Sequence, residues 1–329
     1  MKNSLLISVL IFIITLALFH SCRKQPEIPM SIGRMEQSLF TIPVDNVAEY
    51  IPRLELQYGE LFDLYCSRVI SIGSPGSPGF PEELTKFLTD SSMNIVYRRV
   101  MEVYTDLKDL ESSLGRAFYN YRMELPDMPI PSVYTIMSGF NQSIVTSDTV
   151  LAIALDKYLG KDEEMYLMIG TSRYIAQTMD RKYLPADCMR AWVYTEFPFY
   201  NSANNVLNNI LYEGKVMYAV HRLLPNTPDS IIFGFTPAQM RWCQNNAAQM
   251  WTSLIENRVL FSTDHLLISK LIDPSPFTST FSNESPGRAA VWLGYQIITS
   301  YMKRNRVSLE QLLSDNDYPQ LLDKARFRP

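Results

Sequence analysis

The chain has 329 residues, 30 Lys and Arg against 34 Asp and Glu, a formal net charge of −4, and 47% hydrophobic residues. Charges this balanced and interspersed form no basic stripe, which excludes an electrostatic nucleic-acid binder, and the apolar content excludes a disordered chain. With three histidines and four cysteines in all, a Cys/His-rich zinc module is excluded as well.

The first informative feature is the N-terminus. Lys2 precedes an apolar run from Leu5 to Phe19, which ends at His20-Ser21-Cys22. The run is shorter than the roughly 20 residues needed to cross a bilayer. It is expected to be a lipoprotein signal peptide over 1–21, removed to leave Cys22 lipidated at the new N-terminus. The next segment, Arg23-Lys24-Gln25-Pro26-Glu27-Ile28-Pro29, is charged and proline-containing. Residues 22–31 are therefore expected to form a tether, with 32–329 as a single globular domain because no linker interrupts it.

Apolar positions at Val47, Tyr50, Ile51 and Leu54 form one helical stripe, and Val100, Val103, Tyr104, Leu107 and Leu110 another. The Gly/Pro/Ser-rich run from Ser71 to Gly79 lies between helical stretches and predicts an exposed loop. Three short apolar or β-branched runs follow, Val133–Met137, Ser143–Val145 and Val150–Leu155, and these predict a small sheet. Helices then resume. Thr236-Pro237-Ala238-Gln239 carries an N-cap, a proline at the first turn and a capping-box glutamine, and Ser308-Leu309-Glu310-Gln311 and Ser285-Pro286 are expected to repeat the device. The expected fold class is α+β, predominantly helical with a small sheet.

No HExxH or Gly-x-Ser-x-Gly motif is present. Beyond the signal segment only His221 and His265 remain, so a histidine-based zinc site lacks ligands. Cys66, Cys188 and Cys243 show no paired spacing and are expected to be small buried residues. One constellation is suggestive. Asn205, Asn209 and Glu213 fall on one helical face, after Thr195-Glu196-Phe197-Pro198-Phe199. In two-helix zinc peptidases of the gluzincin type, a Glu from a later helix completes an HExxH pair. In that frame Thr195 and Phe199 occupy the histidine positions and Glu196 that of the general base. Thr and Phe cannot replace imidazole, so Thr195, Glu196, Phe199 and Glu213 are at most the remnant of such a site on a degenerate gluzincin-like fold. A structural Glu213, hydrogen-bonded between helices, is the favoured expectation. No catalytic residue, metal or cofactor is expected.

A resemblance covers nearly the whole chain beyond the signal segment. Arg34-Met35-Glu36 with Leu39-Phe40, Leu155-Asp156-Lys157-Tyr158-Leu159-Gly160, Tyr212-Glu213-Gly214-Lys215 with Leu223-Leu224-Pro225, Trp242-Cys243 with Trp251, Ser262-Thr263-Asp264, Ser285-Pro286-Gly287-Arg288, Gly294-Tyr295-Gln296-Ile297 and Tyr301-Met302 occur in order. In this they resemble the gliding-motility lipoprotein GldB family of Bacteroidota, although Met35 stands where that family usually has an aromatic. The resemblance implies a non-catalytic envelope lipoprotein, anchored to the membrane by lipid and facing the periplasm. It would be associated with other motility or type IX secretion proteins and not with nucleic acid. Asp148-Thr149-Val150 and Asp229-Ser230-Ile231 look like the O-glycosylation signal of these bacteria. The alternatives are a zinc-dependent peptidase-like hydrolase and a glycan-binding lipoprotein, the second suggested by aromatic residues that could stack on sugars. The interaction reading carries its own expectation, namely an exposed apolar patch and no pocket rich in titratable groups.

Overall fold

The computed structural model describes residues 25–200 and 203–329, so Cys22 and the signal segment lie outside the described residues. The fold is α+β with helix predominating, built on a four-stranded mixed sheet of order β1-β2-β4-β3. The strands are β1 (Gly33–Arg34), β2 (Ser132–Ile136), β3 (Ile144–Thr146) and β4 (Val150–Ala154). β1, β2 and β4 are parallel, and β3 runs antiparallel to β4 along the edge, pairing Ile144 with Ile153 and Thr146 with Leu151.

Every residue of β4 is buried, and the two-residue period of a strand divides its side chains between two cores. Val150, Ala152 and Ala154 face the smaller core, made with α1 (Met35–Phe40), α2 (Val47–Tyr58), α3 (Glu60–Leu64) and α4 (Phe80–Thr89). Leu151 and Ile153 face the larger core. That core begins with α5 (Ser91–Val103) and α6 (Lys108–Glu124) and takes in most of the helices beyond the sheet. These are α7 (Glu164–Met168), α8 (Arg173–Ala176), α9 (Leu184–Glu196), α10 (Val206–Leu223) and α11 (Asp229–Phe233). They are followed by α12 (Pro237–Glu256), α13 (His265–Ile272), α14 (Ala289–Arg304), α15 (Leu309–Ser314) and α16 (Tyr318–Ala325).

A buried ion pair ties the N-terminal strand in. Glu36 is fully buried and accepts from Thr135 Oγ1 at 2.7 Å and from Arg34 Nε at 2.7 Å, while Arg34 Nη1 donates to the Tyr104 carbonyl at 2.8 Å. Burial still pushes the Glu36 carboxyl above its ordinary value, against these bonds. Arg34 and Glu36 thus join β1, β2, α1 and the end of α5.

The capping boxes at Thr236–Gln239 and Ser308–Gln311 are both formed and open α12 and α15. Two expectations need correction. The stripe from Val100 to Leu110 is not one helix, because α5 ends at Val103 and Tyr104 turns out at φ −114°, ψ 60°. Tyr104 spends its hydroxyl on the Tyr158 carbonyl at 2.6 Å, and Asp106 Oδ1 accepts from Lys108 N at 3.1 Å to start α6 anew. Ser285 caps no helix either. Its hydroxyl is turned inward to the backbone of Thr278 and Ser282, and α14 begins after Arg288 in the left-handed region at φ 60°.

α10 and α14 cross at two glycines. A methyl group on Gly214 would come within 2.4 Å of the Gly294 carbonyl carbon, and one on Gly294 within 2.0 Å of the Ile210 carbonyl oxygen. Backbone therefore lies on backbone, a contact that only glycine allows. The N-terminal segment is also docked. Ile28 N donates to the Gly115 carbonyl at 3.1 Å, Ser112 Oγ donates to Glu27 at 2.7 Å, and Arg116 pairs with Glu27 at 3.6 Å. From Glu27 onward the expected tether is laid along α6.

Candidate functional site

The Gly214–Gly294 crossing sets the place of the preceding residue, Glu213, against the N-terminal end of α14. Glu213 Oε2 accepts from Arg288 Nη2 at 3.2 Å and from Tyr194 Oη, on α9, at 2.6 Å. Glu213 is thus hydrogen-bonded between helices. Four residues before Tyr194, Arg190 Nη2 donates to Asp187 Oδ1 at 2.6 Å, and Asp187 Oδ2 accepts from Tyr158 Oη at 2.9 Å. Asp187, Arg190 and Tyr194 stand three and four residues apart, so one face of α9 carries all three.

Tyr158, Asp187, Arg190, Tyr194 and Arg288 line a cavity of about 490 Å³ between α9, the entry to β3, α8, α11 and the loop before α14, and Glu213 is linked to it through Tyr194 and Arg288. Lys157 lines it from the turn after β4 and donates to the Phe140 carbonyl at 3.1 Å. Burial lowers its amine pKa, partly offset by Asp156. Asp156 itself is fully buried and accepts from Ser138 N at 3.0 Å and Phe140 N at 2.6 Å. Desolvation outweighs these bonds and raises the Asp156 carboxyl above its ordinary value. Its structural work is to hold the turn at Gly139 and Phe140, both at φ 64°, which leads into the cavity wall at Asn141–Ile144. Tyr158 and Tyr194 are both raised well above the ordinary phenol range, first by burial and then by Asp187 and Glu213 respectively. At neutral pH they are donors.

The four remnant-site candidates do not converge on this cavity. Thr195 Oγ1 is bonded to Thr146 Oγ1 at 2.7 Å and to the Ala191 carbonyl at 3.0 Å. Glu196 ends α9, half-exposed, its carboxyl raised by burial and by Asp148. Phe199 packs on Tyr212 at 5.1 Å and Tyr318 at 6.0 Å. Only Glu213 belongs to the network, and Pro198 lies past the helix end. The expectation of no pocket rich in titratable groups is overturned, since Lys157, Asp187, Arg190 and Arg288 all line one cavity. The four-three spacing of Asp187, Arg190 and Tyr194 on an otherwise apolar helix was the signal available for it. Lys157 and Arg288 carry no comparable local signal, because the fold brings them in from distant segments.

Among the described residues, no three His, Cys, Asp or Glu side chains are grouped as metal ligands. Cys66, Cys188 and Cys243 are free and buried. Of the two glycosylation-like sequences, Thr149 is exposed at the β3–β4 turn, and Ser230 lies within α11. Beside the cavity mouth, Leu167, Met168 and Ile169 are 62%, 84% and 51% exposed. Tyr174 and Ile175, a few residues further along the chain, line the cavity and are 37% exposed each.

Fold and site together define a predominantly helical α+β protein with a cavity lined by Lys157, Asp187, Arg190 and Arg288. The chain belongs to the family described as gliding motility protein GldB, whose model matches residues 21–329. Membership makes it a gliding-motility lipoprotein, and among the described residues no helix is long and apolar enough to cross a membrane. No curated protein and no solved structure matches the chain.

Proposed function

We propose that this protein is a non-catalytic interaction component of the gliding-motility or type IX secretion machinery, held at the membrane by lipid on Cys22 and facing the periplasm. The observation that carries this reading is the run of exposed large apolar side chains Leu167, Met168 and Ile169, followed along the chain by the part-exposed Tyr174 and Ile175. Large apolar side chains clustered this closely on a surface are characteristic of a partner-binding site. The charged cavity behind them has its carboxylates engaged by Tyr158, Arg190, Tyr194 and Arg288, an arrangement suited to binding.

The docked N-terminal segment supports a membrane-proximal position. Between Cys22 and the docked Glu27 the chain can reach at most about 18 Å when fully extended. A lipid on Cys22 would therefore keep α6 close to the bilayer.

The test is in-cell photocrosslinking from two exposed positions, Met168 in the patch and Leu56 on α2, which is 89% exposed. Crosslinks from Met168 to an envelope motility or secretion protein, absent from Leu56, are the expected result. Equal labelling from both positions, or none from Met168, would overturn the proposal.

A further inference from the structure

Arginine at 190 is the least explained charged group in the molecule. Its side chain is partly buried, with 22% of its surface accessible, and it lines the cavity. Of its five N–H groups, one is bonded to protein, the Nη2 bond to Asp187. Arg288 uses two, to Glu213 and to the Ile272 carbonyl. Most of the guanidinium donors at this site thus have no acceptor among the described residues. Both Asp187 oxygens are engaged, and Glu213 Oε2 accepts twice.

The charge balance points the same way. Lys157, Arg190 and Arg288 face Asp187 and Glu213, and Lys157 has no carboxylate within ion-pair distance among the described residues. Asp156, which acts on Lys157 through space, is spent on the Ser138 and Phe140 N–H groups, so Lys157 is the one cation of the three without a direct ion-pair partner among the described residues. From these observations we infer that the cavity is a binding site for a carboxylate-bearing ligand, whose carboxylate is taken by Arg190 and Arg288 and balanced by Lys157.

A monoanion fits a single cation without an ion-pair partner. A phosphate monoester carries about 1.5 to 2 negative charges at neutral pH and would overcompensate it. Planar guanidinium groups also match carboxylate geometry with paired bonds. The lining also includes Tyr174, Ile175, Phe235 and Pro276, which give an apolar body somewhere to rest. The volume of about 490 Å³ suits a ligand of one or two residues' size. This inference stands apart from the choice of macromolecular partner, because it concerns the cavity and not the exposed patch.

The experiment is ligand-observed NMR with the full chain in detergent. Four probes are compared, N-acetyl-phenylalanine, its uncharged amide, glucuronate and inorganic phosphate. The acid is expected to bind, more tightly than glucuronate or phosphate, and the amide to show no binding. Arg190→Gln should weaken the acid by about tenfold or more, the cost of losing a charge-assisted bond. Lys157→Met, at a half-exposed side chain paired with no carboxylate, should weaken it too and serves as the variant that leaves the Asp187 and Glu213 bonds untouched. Acid and amide binding alike, wild-type affinity in both variants, or no binding of the acid would each overturn the inference. A preference for phosphate or glucuronate would overturn the assignment of a carboxylate on an apolar body.

Discussion

Lys215 shows how one residue can answer to two demands. Its side chain is 1% exposed, and Nζ donates to the Leu313 and Asp315 carbonyls at 3.0 and 2.7 Å, with the Tyr318 ring 4.9 Å away. The amine therefore closes the C-terminal end of α15, where carbonyls lack helical partners. Burial nevertheless pushes it down to about 8 from 10.5, with Asp315 opposing. In the unfolded chain the amine keeps its proton up to its ordinary value. Between these two values the unfolded state binds more protons, so this group adds stability as pH rises through that window and is fully unfavourable below it. Subtracting the stability of Lys215→Met removes the contribution of the titrating groups that the two proteins share. The difference in unfolding free energy between wild type and Lys215→Met should grow by about 3 kcal/mol from pH 8 to 10.5, measured by urea titration. A flat difference would show that the amine is hydrated in the folded state.

At the scale of elements, the α10–α14 crossing fixes the geometry of the site, because it is what brings Glu213 to Arg288. Gly214→Ala should gain about 1 kcal/mol of helix propensity. The added methyl meets Gly294 backbone at 2.4 Å, and rigid backbone cannot yield as a flexible side chain would. The net expectation is a loss of about 3 kcal/mol, at the upper end for overpacking, read from the denaturant midpoint. A stabilised variant would show that the helices can part without cost. The pair of glycines was visible in the sequence only as punctuation in two helical runs. By contrast, three of the sheet's four strands and the capping boxes at Thr236 and Ser308 were legible, since short apolar or β-branched runs and capping residues are local signals, whereas the two-residue strand Gly33–Arg34 carries no such run. The break between α5 and α6 was not, because Val100 to Leu110 keeps helical spacing while tertiary bonds from Tyr104 and Asp106 decide otherwise. The same limit applies to the site. Glu213 stood out by its helical face, and Asp187, Arg190 and Tyr194 could have done, but the gluzincin frame directed attention one turn too late, to Thr195, Glu196 and Phe199. Lys157 and Arg288 become site residues only when the fold closes.

For the molecule as a whole, the N-terminal segment decides how the domain is presented to a membrane. Glu27 and Ile28 are fastened to α6 through Ser112, Gly115 and Arg116. Gly115 permits this, since a methyl group there would come within 2.6 Å of the Ile28 carbonyl oxygen. Gly115→Ala therefore sets two effects against each other. Helix α6 gains about 1 kcal/mol of propensity, and the segment loses its seat. The global unfolding midpoint should change little. Amide exchange at Ile28, whose N–H is bonded to Gly115, should become faster by at least about tenfold, because local opening no longer breaks a packed contact. On the proposal that Cys22 carries a lipid, releasing Glu27 and Ile28 would move the first fixed point of the chain to Ile32, whose N–H is bonded to Glu111 Oε1 at 3.1 Å, and would roughly double the greatest reach between lipid and domain. Slow exchange at Ile28 in the variant would mean that the segment is held by Glu27 and Ser112 alone. In that case the short reach between lipid and domain would not depend on the glycine.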